Sequence, residues 1–174
     1  MTETTQTSLS HEQAKELALD LMQQHGLTED GWQFKWSNAK RQLGRASIRR
    51  KKQHHFGPVV EIKTISISRH LVELNPASEV RETILHEIAH ALAGLEHRHD
   101  EVWKATCRQI GAKPQRLADE QVRTVKPRYI VRCGTCNKDL QKRHRRVSPG
   151  VLNESYCFHC GPDTMGKLQL VDNG

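Results

Sequence analysis

The stretch Leu85-His86-Glu87-Ile88-Ala89-His90-Ala91-Leu92 decides how this chain reads. It is apolar and helix-forming, and it carries two histidines four residues apart. On a helix, positions i and i+4 share a face one turn apart. His86 and His90 can therefore present two imidazole nitrogens to one metal ion. Glu87 sits beside His86, near enough to hold a water at that ion while staying out of its coordination. Two neutral imidazoles, a third protein ligand and an open position make the donor set of a catalytic zinc site. Taken alone, the pattern also fits a helix with two surface histidines, so the surrounding residues have to separate the two readings.

A third ligand is needed, and His97 and His99 are the candidates downstream. The extended pattern H-E-x-x-H-x-x-G-x-x-H would place glycine at Ala93 and histidine at Glu96, and neither fits. His99 directly precedes Asp100, a good N-cap for a further helix carrying Val102, Trp103, Cys107 and Ile110. That helix can carry His99 back over the first pair, with Trp103 packed beneath. His99 is the preferred ligand, and His97 reads as a loop residue. Gly111 and Pro114 close this helix.

Upstream, residues 1–9 read as a disordered tail. Ser10 and Gln13 form a capping box for a helix bearing Ala14, Leu17, Ala18, Leu21 and Met22, stopped near Gly26. Trp32, Phe34 and Trp36 alternate with polar residues, which is strand spacing, and core packing is their expected role. Val59 to Ser68 is the clearest strand. Its Val60 and Ile62 lie out of phase with Ile65 and Ile67, so a bulge or burial on both faces is expected. Asn75 and Pro76 are placed at the cap and first position of the central helix, and Val80, Ile84, Ile88 and Leu92 form its buried stripe. Gly94 ends it. His54 and His55 read as turn residues on the surface.

Basic residues dominate two stretches of a chain with formal charge +7. Residues 40–52 hold seven positive charges and no acid, among them Arg45, Arg49, Arg50, Lys51 and Lys52. Ala46 and Ile48 alternate there, as on a strand with one basic face. Residues 123–146 hold nine basic residues against Asp139 alone. An acidic partner follows, with nucleic acid first. No apolar run is long enough to cross a membrane, and Met1 to Ser10 lacks the basic start and apolar core of a secretory signal.

Cys133-Gly134-Thr135-Cys136 and Cys157-Phe158-His159-Cys160 are two C-x-x-C knuckles with twenty residues between them. In a reducing compartment this spacing points to a closed four-thiolate zinc site rather than to disulfides. His159, between two ligands, points elsewhere. Cys107 reads as an inert core thiol. Lys142, Arg143, Arg145 and Arg146 fall in a loop of this module, placed to hold phosphates rather than to read bases.

His86-Glu87-Ile88-Ala89-His90 followed by His99-Asp100-Glu101-Val102-Trp103 resembles the SprT-like (Spartan) metalloproteases, whose motif is H-E-x-x-H followed by H-G-x-x-[FW]. Trp36-Ser37-Asn38-Ala39-Lys40-Arg41, Leu43-Gly44, the run Ile65 to Leu71 and Asn75-Pro76 are similar to that family's layout. Asp100 stands where the family usually has glycine, and it puts a carboxylate beside His99. The resemblance covers about residues 10–115. It implies an α+β fold: a zincin-like domain with a small mixed or antiparallel sheet packed with helices, H-E-x-x-H on the central helix, and a small C-terminal zinc ribbon. Domain boundaries of 10–122 and 123–174 follow. The implied role is cleavage of proteins on DNA, notably proteins crosslinked to it.

The expectation is a zinc metalloendopeptidase binding two Zn2+ per chain, one catalytic and one structural. Glu87 is the general base, and the strand over residues 62–68 is the substrate-pairing edge. Partners are DNA and DNA-bound proteins, with no membrane, and the chain acts as a monomer. It is expected in the cytoplasm on DNA, or in the nucleus of a eukaryote, and is not secreted. The competing reading is a nucleic-acid-binding zinc-ribbon protein whose H-E-x-x-H domain is structural or inactive, acting as a regulator or adaptor. A general peptidase with no DNA role is a third.

Overall fold

The computed structural model describes residues 8–52, 57–116 and 122–174. The expected tail, apart from Ser8 and Leu9, and the His54-His55-Phe56 turn lie outside the described residues. The chain divides between Thr124 and Val125 into two units.

In the first unit, α1 (His11–Gln24) begins at the foreseen capping box. Gln13 N–H donates to the Ser10 hydroxyl, and Ser10 N–H donates to the Gln13 side chain. Such a cap contributes about 1 kcal/mol. Ala14, Ala18, Leu21 and Met22 are buried at helical spacing. Gly26, at φ +70°, turns the chain out of the helix.

The sheet has the order β1-β3-β2. β1 (Trp32–Ser37) runs parallel to β3 (Val59–Ser68), and β2 (Gly44–Lys52) runs antiparallel to it. β3 is therefore central and cannot be the substrate-pairing edge expected of residues 62–68. Its Ile65 and Ile67 are fully buried, whereas β2 is exposed from Ile48 to Lys52, the charged character of an edge strand. The β2–β3 register runs unbroken from Gly44↔Ile67 to Lys52↔Val59, so the expected bulge is absent from this pairing. Val60 and Ile62 occupy the face opposite Ile65 and Ile67, and Val60 stays exposed.

A short helix, α2 (Arg69–Leu74), follows β3 directly, and no expectation from the sequence covers it. Asn75 does not cap the central helix. Its amide donates to the carbonyls of Leu71 and Arg123, and its carbonyl accepts Arg123 N–H at 2.6 Å. Pro76 stands at the cap instead, and α3 (Ala77–Ala93) starts one residue late. Val80, Ile84 and Ile88 are buried as expected, and Leu85 and Ala89 join them. Leu92 is exposed, so the stripe ends a turn early. Gly94, at φ +96°, ends α3. Asp100 then caps α4 (Glu101–Gln109) by accepting the N–H groups of Val102 and Trp103. Trp103 and Cys107 of α4 join the same core as α1, α3 and β3. Each large side chain there contributes roughly 1.5–3 kcal/mol by burial.

The second unit is a three-stranded antiparallel sheet of order β5-β4-β6. It contains β4 (Tyr129–Cys133), β5 (Asp139–Arg143), α5 (Pro149–Asn153) and β6 (Leu168–Asp172). Ile130, Val131, Cys133 and Cys157 are its buried apolar residues among those described. So small a core needs reinforcement. Lys142 and Arg143 complete β5, so only Arg145 and Arg146 of the expected basic loop lie beyond the strand. No helix of the described residues is long and apolar enough to cross a membrane.

Candidate metal centres and active site

α3 places His86 and His90 one turn apart on a face that is half open. His99 arrives from the other side. The 3-10 turn Leu95–His97 and Arg98, at φ 42°, reverse the chain, and the Asp100 cap fixes the start of α4. The Nε2 atom of His99 lies 3.2 Å from that of His90 and 3.3 Å from that of His86. Zinc–imidazole bonds of about 2.0–2.1 Å in a tetrahedral set require nitrogens about 3.3 Å apart, so these three fit. His97 turns away, and its Nδ1 lies 2.9 Å from Asp100 Oδ2. The Asp100 carboxylate therefore engages His97 and the helix N–H groups, rather than His99 as the sequence suggested.

Trp103 is completely buried beneath the cluster, with ring centroids 4.8 Å from His86, 5.2 Å from His90 and 4.7 Å from His99. Burial pushes the pKa values of His86 and His90 down to about 4, and repulsion among the imidazoles adds to this. His99 is also lowered, by burial and then by Arg116. All three are thus neutral near pH 7, the form that ligates metal.

Glu87 is 7% exposed, with its Oε2 accepting the Ala46 N–H of β2 at 2.7 Å. Burial pushes its carboxyl up to about 7, against the opposing pull of the Ala46 N–H and of Arg45. Gly44, Ala46, Ile48, His86, Glu87 and His99 line one open cleft. Leu43-Gly44 entered only as part of the family resemblance and Ala46 only as a strand residue; their place at Glu87 depends on where the β2 backbone runs.

In the second unit, Cys133, Cys136, Cys157 and Cys160 bring their sulfurs within 4.8 Å of one another. Cys136 and Cys157 are 3.8 Å apart, far beyond a disulfide bond and close to the separation set by zinc–sulfur bonds of about 2.3 Å. The N–H groups of Cys136 and Thr135 point at Cys133 Sγ and favour its thiolate, holding its pKa down near 6. His159 stays outside the cluster and contacts Phe158. Cys107 is fully buried, and burial pushes its thiol up to about 11, which leaves it inert.

The basic residues Arg45, Arg49, Arg50, Lys51 and Lys52 are exposed on β2, and Arg50 is paired with Glu61 at 2.9 Å. Strand alternation puts Arg45, Arg49 and Lys51 on the face away from Ala46, so the charge is shared between two faces. Lys142, Arg143, Arg145 and Arg146 are exposed on the second unit.

No curated protein matches the chain. The profile of the SprT-like family matches residues 11–126, about two-thirds of the sequence, spanning α1 through α4 with the three histidines and Glu87. The chain belongs to the SprT-like family.

Proposed function

We propose that the chain is a zinc-dependent endopeptidase that hydrolyses proteins bound or crosslinked to DNA. The observation that carries this reading is the convergence of three neutral imidazoles in a cleft with the buried carboxylate of Glu87. The first unit is read as a zincin-like domain and the second as a zinc ribbon. His86, His90 and His99 would hold the catalytic ion, and the four cysteines a structural one, two per chain. The catalytic ion supplies a Lewis acid that polarises the peptide carbonyl and acidifies water.

The chain's own residues do the rest. Glu87 takes one proton from the attacking water as its oxygen joins the carbonyl carbon, then delivers that proton to the nitrogen as the C–N bond breaks. A carboxyl pushed up to about 7 suits both roles near neutral pH. Trp103 keeps the imidazoles in register and closes their inner side to water.

β2 takes over the substrate-pairing role expected of residues 62–68. It pairs with β3 on one side only, and its other edge borders the cleft. The Leu43 carbonyl accepts Ser68 N–H, whereas Ala46 N–H points out to Glu87. By alternation, Gly44, Ala46 and Ile48 direct their backbone groups outward. An extended peptide can add to that edge through the backbone groups that Glu87 does not occupy, which leaves sequence selectivity low.

Selection by location follows from charge. Arg45, Arg49 and Lys51 on β2, and Lys142, Arg143, Arg145 and Arg146 on the zinc ribbon, would grip phosphates with low sequence preference. The enzyme would act as a monomer in the cytoplasm on DNA, or in the nucleus of a eukaryote. Cleavage of a DNA-binding protein, compared without DNA, with single-stranded DNA and with duplex, tests this. Faster cleavage with DNA is expected, and equal rates in all three overturn the DNA-directed reading.

A further inference from the structure

Gly44 is the first residue of β2, and its φ lies outside the left-handed region, in contrast to Gly26 or Gly94. Backbone freedom does not explain a glycine there, but space does. A Cβ at position 44 would lie 2.7 Å from Glu87 Cγ, 2.8 Å from Oε1 and 3.0 Å from Cδ. The first two are closer than a Cβ comes to another heavy atom in folded proteins. Two residues on, Ala46 N–H holds the other carboxylate oxygen at 2.7 Å. Glu87 is thus seated against bare β2 backbone, with Gly44 giving room and Ala46 giving the hydrogen bond.

We propose that Gly44 is a positioning residue for Glu87, so that the β2 backbone, and not α3 alone, sets where the proton-transferring carboxylate sits. The proposal rests on the reading of Glu87 as general base. The β2 start is anchored by Ser68 N–H donating to the Leu43 carbonyl at 2.8 Å and by the ladder to β3. The Glu87 side chain, by contrast, turns about its own torsions. A methyl group at position 44 therefore moves the carboxylate before it moves the strand. The fold and the three-histidine cluster should survive while Glu87 loses its place. This predicts a split between structure and turnover that a purely structural glycine would not give.

The test uses the full-length zinc-loaded protein with Gly44→Ala, Glu87→Ala and the double variant. In Gly44→Ala the zinc count stays at the wild-type value, and kcat falls about 100-fold, the scale expected for misplacing a reacting group by about 1 Å. The Ala46 amide resonance in a proton–nitrogen NMR spectrum moves from its wild-type position toward that of Glu87→Ala. Adding Gly44→Ala to Glu87→Ala then shifts the unfolding midpoint less than adding it to wild type, because the clashing side chain is gone. Wild-type kcat with an unmoved Ala46 resonance in Gly44→Ala overturns the proposal. Turnover retained by Glu87→Gln overturns the general-base reading instead, and the Ala46 resonance still reports on the seat.

Discussion

The indole of Trp103 lies stacked on the imidazole of His90, with centroids 5.2 Å apart and planes 28° from parallel. The same indole meets His86 and His99 edge-on, so one side chain of α4 supports all three candidate ligands. Its Nε1 is buried with no hydrogen-bond partner among the described residues. Trp103→Ala should cost about 3–5 kcal/mol of stability through the cavity it leaves, and should weaken metal binding at the histidines. Trp103→Phe sacrifices no hydrogen bond and should keep most of both. Thermal unfolding with a metal-chelator competition measures the pair, and equal damage from the two variants would argue against this support role.

His99→Ala and His97→Ala should behave differently although the residues are two apart. Removing His99 takes one of the three converging nitrogens, and zinc affinity should fall by more than about 100-fold, beyond the 10–100-fold usual for residues that only orient a ligand. Removing His97 breaks only its contact with Asp100 and should change affinity a few-fold at most. Zinc competition titrations on each variant decide between them, and a larger loss from His97→Ala would reverse the ligand assignment.

Asp30 and Lys63 give the sheet a pH-dependent contact. Lys63 Nζ donates to Asp30 Oδ1 at 2.8 Å, and this hydrogen bond, with that from the Trp32 indole, holds the Asp30 carboxyl below its ordinary value of 3.8. The folded pKa lies under the unfolded one. The contribution is therefore present above about pH 3.8 and is lost as pH falls through the folded value. In Lys63→Met the Asp30 pKa should return toward 3.8, readable by carboxyl NMR titration. An unchanged titration would remove Lys63 as the cause.

Charge reversal should separate the basic positions by their partners. Arg50 is already paired with Glu61, so Arg49→Glu should weaken DNA binding more than Arg50→Glu. Reversal of Lys142, Arg143, Arg145 and Arg146 together should lower affinity and flatten its dependence on salt, since each lost phosphate contact reduces the logarithmic slope by about 0.7–0.9. Fluorescence anisotropy across a salt series measures this. Binding that does not change with ionic strength would contradict phosphate contacts at these residues.

What the sequence made legible was local. Ser10 and Gln13 announce the start of α1, Trp32, Phe34 and Trp36 announce β1, and the Asp100 cap beside His99 singles that histidine out from His97. Spacing alone sufficed because each signal and its consequence lie within a few residues. Features set by distant partners mislead a local reading. Asn75 looks like a cap, yet its side chain is taken by Arg123, 48 residues away. β3 looks like an edge beside the histidine-bearing helix, yet strand order sets it between β1 and β2. Gly44 matches the family's layout, but nothing in its spacing tells of Glu87, whose side chain lies where a Cβ at position 44 would be.

If three imidazoles hold an ion beside a carboxylate that moves the proton, removing that carboxylate should stop turnover and spare the metal. Wild type and Glu87→Gln are compared by counting zinc in each and assaying cleavage of a DNA-binding protein in the presence of DNA. Two zinc ions per chain in both proteins, with turnover lost by at least about 100-fold in Glu87→Gln alone, is the predicted result. Two zinc ions with unchanged turnover would contradict the assignment of Glu87 as the group that moves the proton.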